Sequence, residues 1–292
     1  MNRRSPDTID FFKMQGCGND FVLIDNRGLR LDPAFMAEWA KTLCRRAFGI
    51  GADGLILLDA AKGREDVDYI WHFFNADGSR AEMCGNGARC AAKLAVALGL
   101  AGPRHRFGSD AGPIEAEVFA DTGLVRVELT RPGPLEQGIV LDTPAGPLTA
   151  SFVNTGVPHA VMFVDDAASV NVKELGAFVR FHARFAPAGT NANFAQVAGP
   201  GRLILRTYER GVEDETYACG TGACATALAA KALGYGGDDF ELVTSGGETL
   251  YVNVPAGRVF LTGAADEVFT GAFSPRALGL PGLGNGNAPE GA

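Results

Sequence analysis

A chain of 292 residues has room for about two domains at roughly 150 residues each. Its composition, 47% hydrophobic and 21% charged with 15 prolines, excludes a disordered or fibrous protein, and no apolar run approaches the roughly 20 residues of a membrane helix. A net charge of -8, from 34 acidic against 26 basic residues, argues against nucleic acid or an anionic membrane as a partner, while a local pocket for a small anion stays open.

Two arginines near the start are not followed by an apolar stretch of secretory type, so a cytoplasmic protein is expected, with residues 1–8 as a flexible end. Strand-like runs follow: FVLID (21–25), LILLD (55–59) and YIWHFF (69–74). The segment 88–99, ARCAAKLAVALG, reads as a helix whose only charges are Arg89 and Lys93, so it must be buried, with Gly99 as its C-terminal stop. Strands at 114–120 and 124–130 flank the turn signal Asp121-Thr122-Gly123. Further strands are expected at 159–164, 193–197 and 202–209, then a second nearly all-apolar helix at 223–234 that stops at Gly234. Two last strands, 248–254 and 258–263, flank Pro255-Ala256-Gly257, and the Gly- and Pro-rich segment 275–292 reads as a flexible end.

The chain repeats itself. Shifted by 135 residues, CGNGARCAAKLAVALGL (84–100) falls on CGTGACATALAAKALGY (219–235), and the strand and loop before each match in length without a gap. Upstream, GNDFVLID (18–25) resembles TGVPHAVMFVD (155–165), and GIGADGLI (49–56) resembles AGTNANFA (188–195). The expected fold is α+β, with two pseudo-symmetric domains, each a mostly antiparallel curved sheet wrapped around one buried central helix, and a site in the cleft between them.

Each copy puts a cysteine at the start of its buried helix. Free N–H groups and the positive end of the helix dipole favour a thiolate there, which should lower the thiol pKa toward neutrality, and the glycines leave amides free for a carboxylate. Two such turns facing each other would set Cys84 and Cys219 on opposite sides of one carbon. One sulfur would remove an α-proton, the other would supply one to the opposite face, and the helix dipoles would stabilise the carbanion without pyridoxal phosphate or a metal. The remaining cysteines, Cys17, Cys44, Cys90 and Cys224, read as packing residues, and no pair has the CxxC spacing of a zinc site.

Three motifs, MQGCGNDFVLIDN (14–26), FNADGSRAEMCGNGARC (74–90) and YERGVEDETYACGTGACA (208–225), make the chain from about Phe11 to Phe273 resemble the diaminopimelate epimerases. The resemblance implies interconversion of LL- and meso-diaminopimelate, without a cofactor, in lysine and peptidoglycan precursor synthesis, with Cys84 and Cys219 as the acid–base pair. It also implies that the amides of Gly85, Asn86, Gly220 and Thr221 hold the reacting carboxylate, and that Asn19 and Glu209 hold the reacting ammonium. Asn75, Asn191 and Arg210 would clamp the distal amino acid head, and His159 would help set a thiol's protonation state. The resemblance further implies halves at residues 9–131 and 132–263, a last strand at 264–274 that returns to the first half, and a homodimer. Two positions depart from the family's pattern: Gly54 stands where a glutamine is frequent, and Val157 where an asparagine is frequent.

Three other readings stay open at this point: a proline racemase-like enzyme on the same scaffold, a thiol redox protein, and a binding module. Solvent deuterium entering the substrate's α-position separates the first from the other two, and the choice of substrate separates it from the epimerase.

Overall fold

The computed structural model describes residues 8–80, 83–144 and 146–282, and its strands form one continuous, mostly antiparallel ladder. Strands β1 (Ile9–Gly16) and β2 (Asn19–Asp25) make a hairpin whose two turn residues, Cys17 and Gly18, both have positive φ. That is the backbone a two-residue hairpin requires, and it delivers Asn19 to the first position of β2. A short turn α1 (Asn26–Leu29) and helix α2 (Pro33–Leu43) lead to β3 (Gly54–Ala60), parallel to β2. Antiparallel β4 (Tyr69–Asn75) then hands over to the buried helix α3 (Gly85–Ala97). Strand β5 (Arg104–Ser109) lies parallel to β4, and β6 (Gly112–Val118) and β7 (Val125–Glu128) continue as a meander through the Asp121-Thr122-Gly123 turn.

The same sequence of steps recurs. Strands β8 (Glu136–Thr143), β9 (Gly146–Asn154) and β10 (Pro158–Phe163) are successive antiparallel neighbours. After α4 (Val172–Arg180), β11 (Asn191–Gly199) lies parallel to β10, and β12 (Arg202–Glu209) returns antiparallel, carrying the short strand β13 (Asp214–Thr216). The buried helix α5 (Gly220–Ala232) leads to β14 (Asp239–Thr244), parallel to β12, and β15 (Thr249–Asn253) and β16 (Phe260–Gly263) follow. Strand β16 pairs with β7, joining the two runs, and β17 (Asp266–Phe273) pairs with β1.

Read across the ladder, one run is β17-β1-β2-β3-β4-β5-β6-β7 and the other β8-β9-β10-β11-β12-β14-β15-β16. Among the described residues only four pairings are parallel, β2/β3 and β4/β5 in the first run, β10/β11 and β12/β14 in the second. They occur at equivalent places, so the duplication seen in the sequence is a duplication of topology.

Strand β3 shows how the layers stack. Leu55 and Leu57 face α2, packing with Met36, Trp39 and Leu43, while Ile56 and Leu58 face α3. A strand covered on both faces is a continuous apolar run instead of an alternating one. Helix α2 was not singled out from the sequence, although Asp32 caps it through Ala34 N–H and Pro33 fills its first turn. Residues 275–282, expected as the start of a flexible end, instead fold back on this layer: Leu280 is buried and Trp39 Nε1 donates to the Pro281 carbonyl at 2.9 Å. The expected flexible residues 1–7 and 283–292 lie outside the described residues. Among the described residues, no helix is long and apolar enough to cross a membrane.

Both buried helices end as glycine stops. Gly99 and Gly234 have φ of 66° and 80°, and the following N–H groups of Leu100 and Tyr235 return to the carbonyls of Ala95 and Ala230 at 2.9 Å. Their starts share a wedge. A Cβ on Gly85 would stand 2.9 Å from Leu261 Cδ2, and one on Gly220 2.8 Å from the same methyl, so the glycines let both N-termini close on one leucine of β16, and a larger residue at either would displace its side chain. Truncating this fully buried side chain, Leu261→Ala, should cost about 2–5 kcal/mol in urea denaturation. A loss under about 1 kcal/mol would show that the helix starts do not lean on it.

Candidate active site

Cys84 and Cys219 are the N-cap residues of α3 and α5, both with extended backbone (φ -144° and -120°). Around Cys84, the Gly87 N–H donates to Sγ at 3.5 Å, and the thiol donates to Asn19 Oδ1 at 3.6 Å. Asn19 is locked in that orientation because its Nδ2 donates to Asp53 Oδ2 at 2.6 Å, which turns Oδ1 toward the thiol and toward Asn86 Nδ2 at 3.4 Å. Asp53 is itself held by Arg46 and by the Asp20 N–H, and Asp20 pairs with the buried Lys13. The pairs to Arg46 and Lys13 hold the Asp20 carboxyl below its usual range against the opposing pull of burial.

Around Cys219 the neighbours differ. Its sulfur lies 3.5 Å from Thr221 Oγ1, which in turn lies 3.0 Å from His159 Nε2. Asn193 Nδ2 reaches both the Ala160 carbonyl, at 3.0 Å, and His159 Nδ1, at 3.2 Å, while its Oδ1 accepts from the Thr207 hydroxyl at 3.0 Å. An amide nitrogen stands against each ring nitrogen, Asn193 Nδ2 at 3.2 Å from Nδ1 and Asn191 Nδ2 at 3.4 Å from Nε2; the shorter contact makes Nδ1 the acceptor and leaves the imidazole proton on Nε2, facing Thr221 Oγ1. The Thr221 hydroxyl hydrogen is then free for the Cys219 sulfur. A Cβ on Gly222 would stand 2.5 Å from Asn193 Oδ1, so the second glycine of this CGxG turn makes room for the relay.

Glu209, at the end of β12, bears on both thiols. Burial raises its carboxyl above the usual range, and its one hydrogen bond comes from Thr216 Oγ1 at 3.0 Å. Burial raises the Cys84 thiol as well, against the Gly87 and Asn86 amides and the Arg89 charge, which lower it. Cys219 is pushed up to about 12, first by burial and then by the Glu209 charge, with Cys84 contributing; Thr221 and the Gly222 amide pull the other way. The expectation that the helix ends would bring both thiols toward neutrality is corrected: burial, the first cause at each thiol, moves it upward against the amides that lower it. The 3.8 Å between Asn86 Oδ1 and a Cβ placed on Gly220, and the Leu261 methyl that Gly85 and Gly220 share, set the two turns side by side. All six cysteines are free thiols, and burial pushes Cys17, Cys44 and Cys90 to about 12.

The other candidate residues fall into two groups. Asn191 is buried beside His159; its Oδ1 accepts from the Arg210 N–H at 2.7 Å, and Arg210 Nη1 reaches the Ala188 carbonyl at 3.1 Å. Asn75, at the end of β4, instead donates to Ser79 Oγ at 2.9 Å and makes no hydrogen bond to Asn191 or Arg210. At Gly54 a Cβ would stand 2.7 Å from the Phe73 ring and 2.9 Å from the Phe74 carbonyl, so this chain has filled with an aromatic ring the space beside a side chain there. Val157 is half-buried, and its carbonyl accepts from the Thr155 N–H at 3.1 Å. Sequence reasoning gave no place in the site to Asp53, Asn193 and Thr207, and noted Arg89 only as a charge of the buried helix, although a single guanidinium within an almost wholly apolar helix was a visible signal. A groove of about 660 Å³ lined by Phe119, Arg126, Arg202 and Tyr251 lies elsewhere and contains none of the candidate residues.

The family model described as diaminopimelate epimerase matches residues 11–133 and 151–268. A diaminopimelate epimerase of Aquifex aeolicus is 43% identical over 281 residues, covering 92% of this chain and 99% of the relative. One from a Hydrogenobaculum species is 41% identical over 276 residues, covering 90% and 97%. Among solved structures, a hydroxyproline epimerase from Agrobacterium vitis superposes with a TM-score of 0.69 at 15% identity, covering 93% of this chain and 94% of its own. A Bacillus anthracis phenazine biosynthesis protein of the PhzF family gives 0.68 at 14%, covering 91% and 99%. These two likenesses are of fold.

The relay makes a pH prediction. Burial, reinforced by the Arg210 charge, lowers His159 from its ordinary 6.5 to about 3. The folded state then binds fewer protons than the unfolded state between those values, so this residue's contribution to stability is full above 6.5 and is lost as pH falls toward 3. Between pH 7 and pH 5 the wild type should lose about 2 kcal/mol more than His159→Gln, as read by urea denaturation. Equal losses in the two proteins would mean that His159 is not buried as a neutral ring.

Proposed function

Since the chain belongs to the diaminopimelate epimerase family and is an isomerase, we propose that it interconverts LL- and meso-diaminopimelate by a two-base transfer between Cys84 and Cys219. The observation that carries this reading is the convergence of two cysteine-capped helix starts on Leu261. In one direction a thiolate at one cysteine takes the α-proton, the bonding pair stays on the carbon as a carbanion, and the thiol of the other cysteine protonates the opposite face. The two sulfurs exchange protonation states over the turnover, and the reverse direction exchanges their roles.

The carbanion's charge spreads into the adjoining carboxylate. The amides of Gly85, Asn86, Gly220 and Thr221, at the two positive helix ends, are suited to receive it there. Asn19 Oδ1 and the Glu209 carboxylate are the acceptors for the reacting ammonium. The Glu209 charge raises both thiols, so a substrate ammonium placed against it offsets that part of the rise. The thiolate then forms where it is used. The Thr221 hydroxyl, oriented by His159, offers the Cys219 thiolate a hydrogen bond.

For the distal amino acid head we assign Asn75, Asn191 and Arg210, a guanidinium being suited to a carboxylate. With Gly54 and Val157 in place of the frequent side chains, Arg210 carries more of that recognition. The halves of the site correspond on this reading to residues 9–131 and 132–263, closed by 264–274, in a cytoplasmic homodimer serving lysine and peptidoglycan precursor synthesis.

The test is isotopic. In deuterium oxide the protein should wash deuterium into the α-position of LL-diaminopimelate as the meso form appears, and Cys84→Ala and Cys219→Ala should each reduce interconversion at least about a hundredfold. Wild-type interconversion by either variant removes the two-base reading. Racemisation of proline without turnover of diaminopimelate removes the substrate assignment.

A further inference from the structure

One charge in the apolar centre of the protein has no opposite charge beside it. Arg89, within α3, is fully buried, and its hydrogen bonds all end on neutral atoms. Nε donates to the Ala264 carbonyl at 3.0 Å and Nη1 to the Gly85 carbonyl at 3.4 Å, while Nη2 donates to Asn86 Oδ1 at 3.0 Å and Cys17 Sγ at 3.3 Å. Among the described residues it forms no ion pair. A buried guanidinium without an anion is costly, and at the N-terminal end of a helix it also opposes the dipole.

The scaffold does not require it. In the second copy the position equivalent to Arg89, five residues after the capping cysteine, is Cys224, a fully buried small thiol inside α5. The fold therefore closes around this position without a charge. The first copy keeps one directly behind the turn that carries Cys84.

We propose that Arg89 is a positioning residue whose missing counter-anion forms during turnover: it fixes Gly85 and Asn86 from within the helix and favours the Cys84 thiolate and the negative charge gathered at that turn. The part concerning turnover rests on the two-base reading above; the part concerning the thiol does not. Cys84 touches the neutral Asn19 from β2, and the titratable groups whose charge bears on it are Arg89 and Cys90 from α3, Glu209 from β12 and Cys219 from α5. On the far side of Arg89 stands Cys17, on which Glu248 also bears. Arg89 is the cation in this set, and it lowers the Cys84 thiol while Glu209 raises it.

The experiment is a pH titration of Cys84 in the full-length, substrate-free protein, reading alkylation by iodoacetamide peptide by peptide, in wild type, Arg89→Lys and Arg89→Gln. Loss of the charge in Arg89→Gln should raise the Cys84 midpoint by about one pH unit or more, while Arg89→Lys should stay within about half a unit of wild type. The Cys219 midpoint should move less in both. Turnover of diaminopimelate should fall at least about tenfold in kcat for Arg89→Gln, with a smaller change in KM. Equal Cys84 midpoints in the Lys and Gln variants would overturn the proposal. If Arg89→Gln does not fold, Arg89→Lys decides by itself, since a wild-type midpoint supports the role of the charge and a raised one ends it. Failure of the wild type to turn over diaminopimelate, with the Cys84 shift intact, would count against the substrate reading and leave Arg89's role standing.

Discussion

Two helix N-termini are held against one another across a single leucine methyl, and the arrangement of the rest follows from that contact. Bringing two positive dipole ends together is unfavourable until an anion lies between them. The structure sustains the approach with glycines at 85 and 220, which leave Leu261 the space of a missing Cβ, and with the β7/β16 pairing that fixes Leu261 between the two runs of strands. The apolar surroundings that stabilise the helices also strip water from the thiols. Burial is thus the first cause that raises both thiols, and the Glu209 charge adds to it.

Duplication supplies two equivalent helix starts, but the groups behind them have diverged. Asn86 and Thr221 hold the same position in the two turns, as do Arg89 and Cys224 five residues along from the capping cysteines. Beside Cys84 stand an amide oxygen fixed by Asp53 and, behind its turn, a guanidinium on Gly85 and Asn86; beside Cys219 stands a hydroxyl next to His159 and Asn193. A symmetric frame is suited to a carbon approached from both faces. Unequal neighbours are suited to a substrate whose two faces are not equal.

The architecture was legible in the sequence where local signals and burial agree. The two nearly all-apolar helices, their glycine stops and the hairpins at Gly123 and Gly257 fall where pattern and turn chemistry put them. Helix α2 was obscured because half of its evidence lies elsewhere, in the doubly apolar run of β3 that it covers. Strand β1 carries Lys13, a residue that reads as exposed and is instead buried on Asp20 across the hairpin. Strands β8 and β17 expose most of their residues and so show little alternation. In the site, the cysteines were marked by the repeated motif, but the direction of their pKa shifts was not legible, since desolvation is a property of the closed fold. Asn193 and Thr207 escaped notice because polar residues within strands acquire meaning only from the ring they orient.

The pairing of β17 with β1 ties the end of the fold to its beginning. During synthesis the opening hairpin leaves the ribosome with one edge bare, and that edge stays unpaired until more than two hundred further residues have emerged. Closure of the opening half is thus a late event of high contact order, after the chain is complete enough to supply its final strand. An unfinished chain presents an open β-edge to any neighbour, and premature termination just short of residue 266 would leave that edge permanently bare, even with both cysteine-bearing helices made.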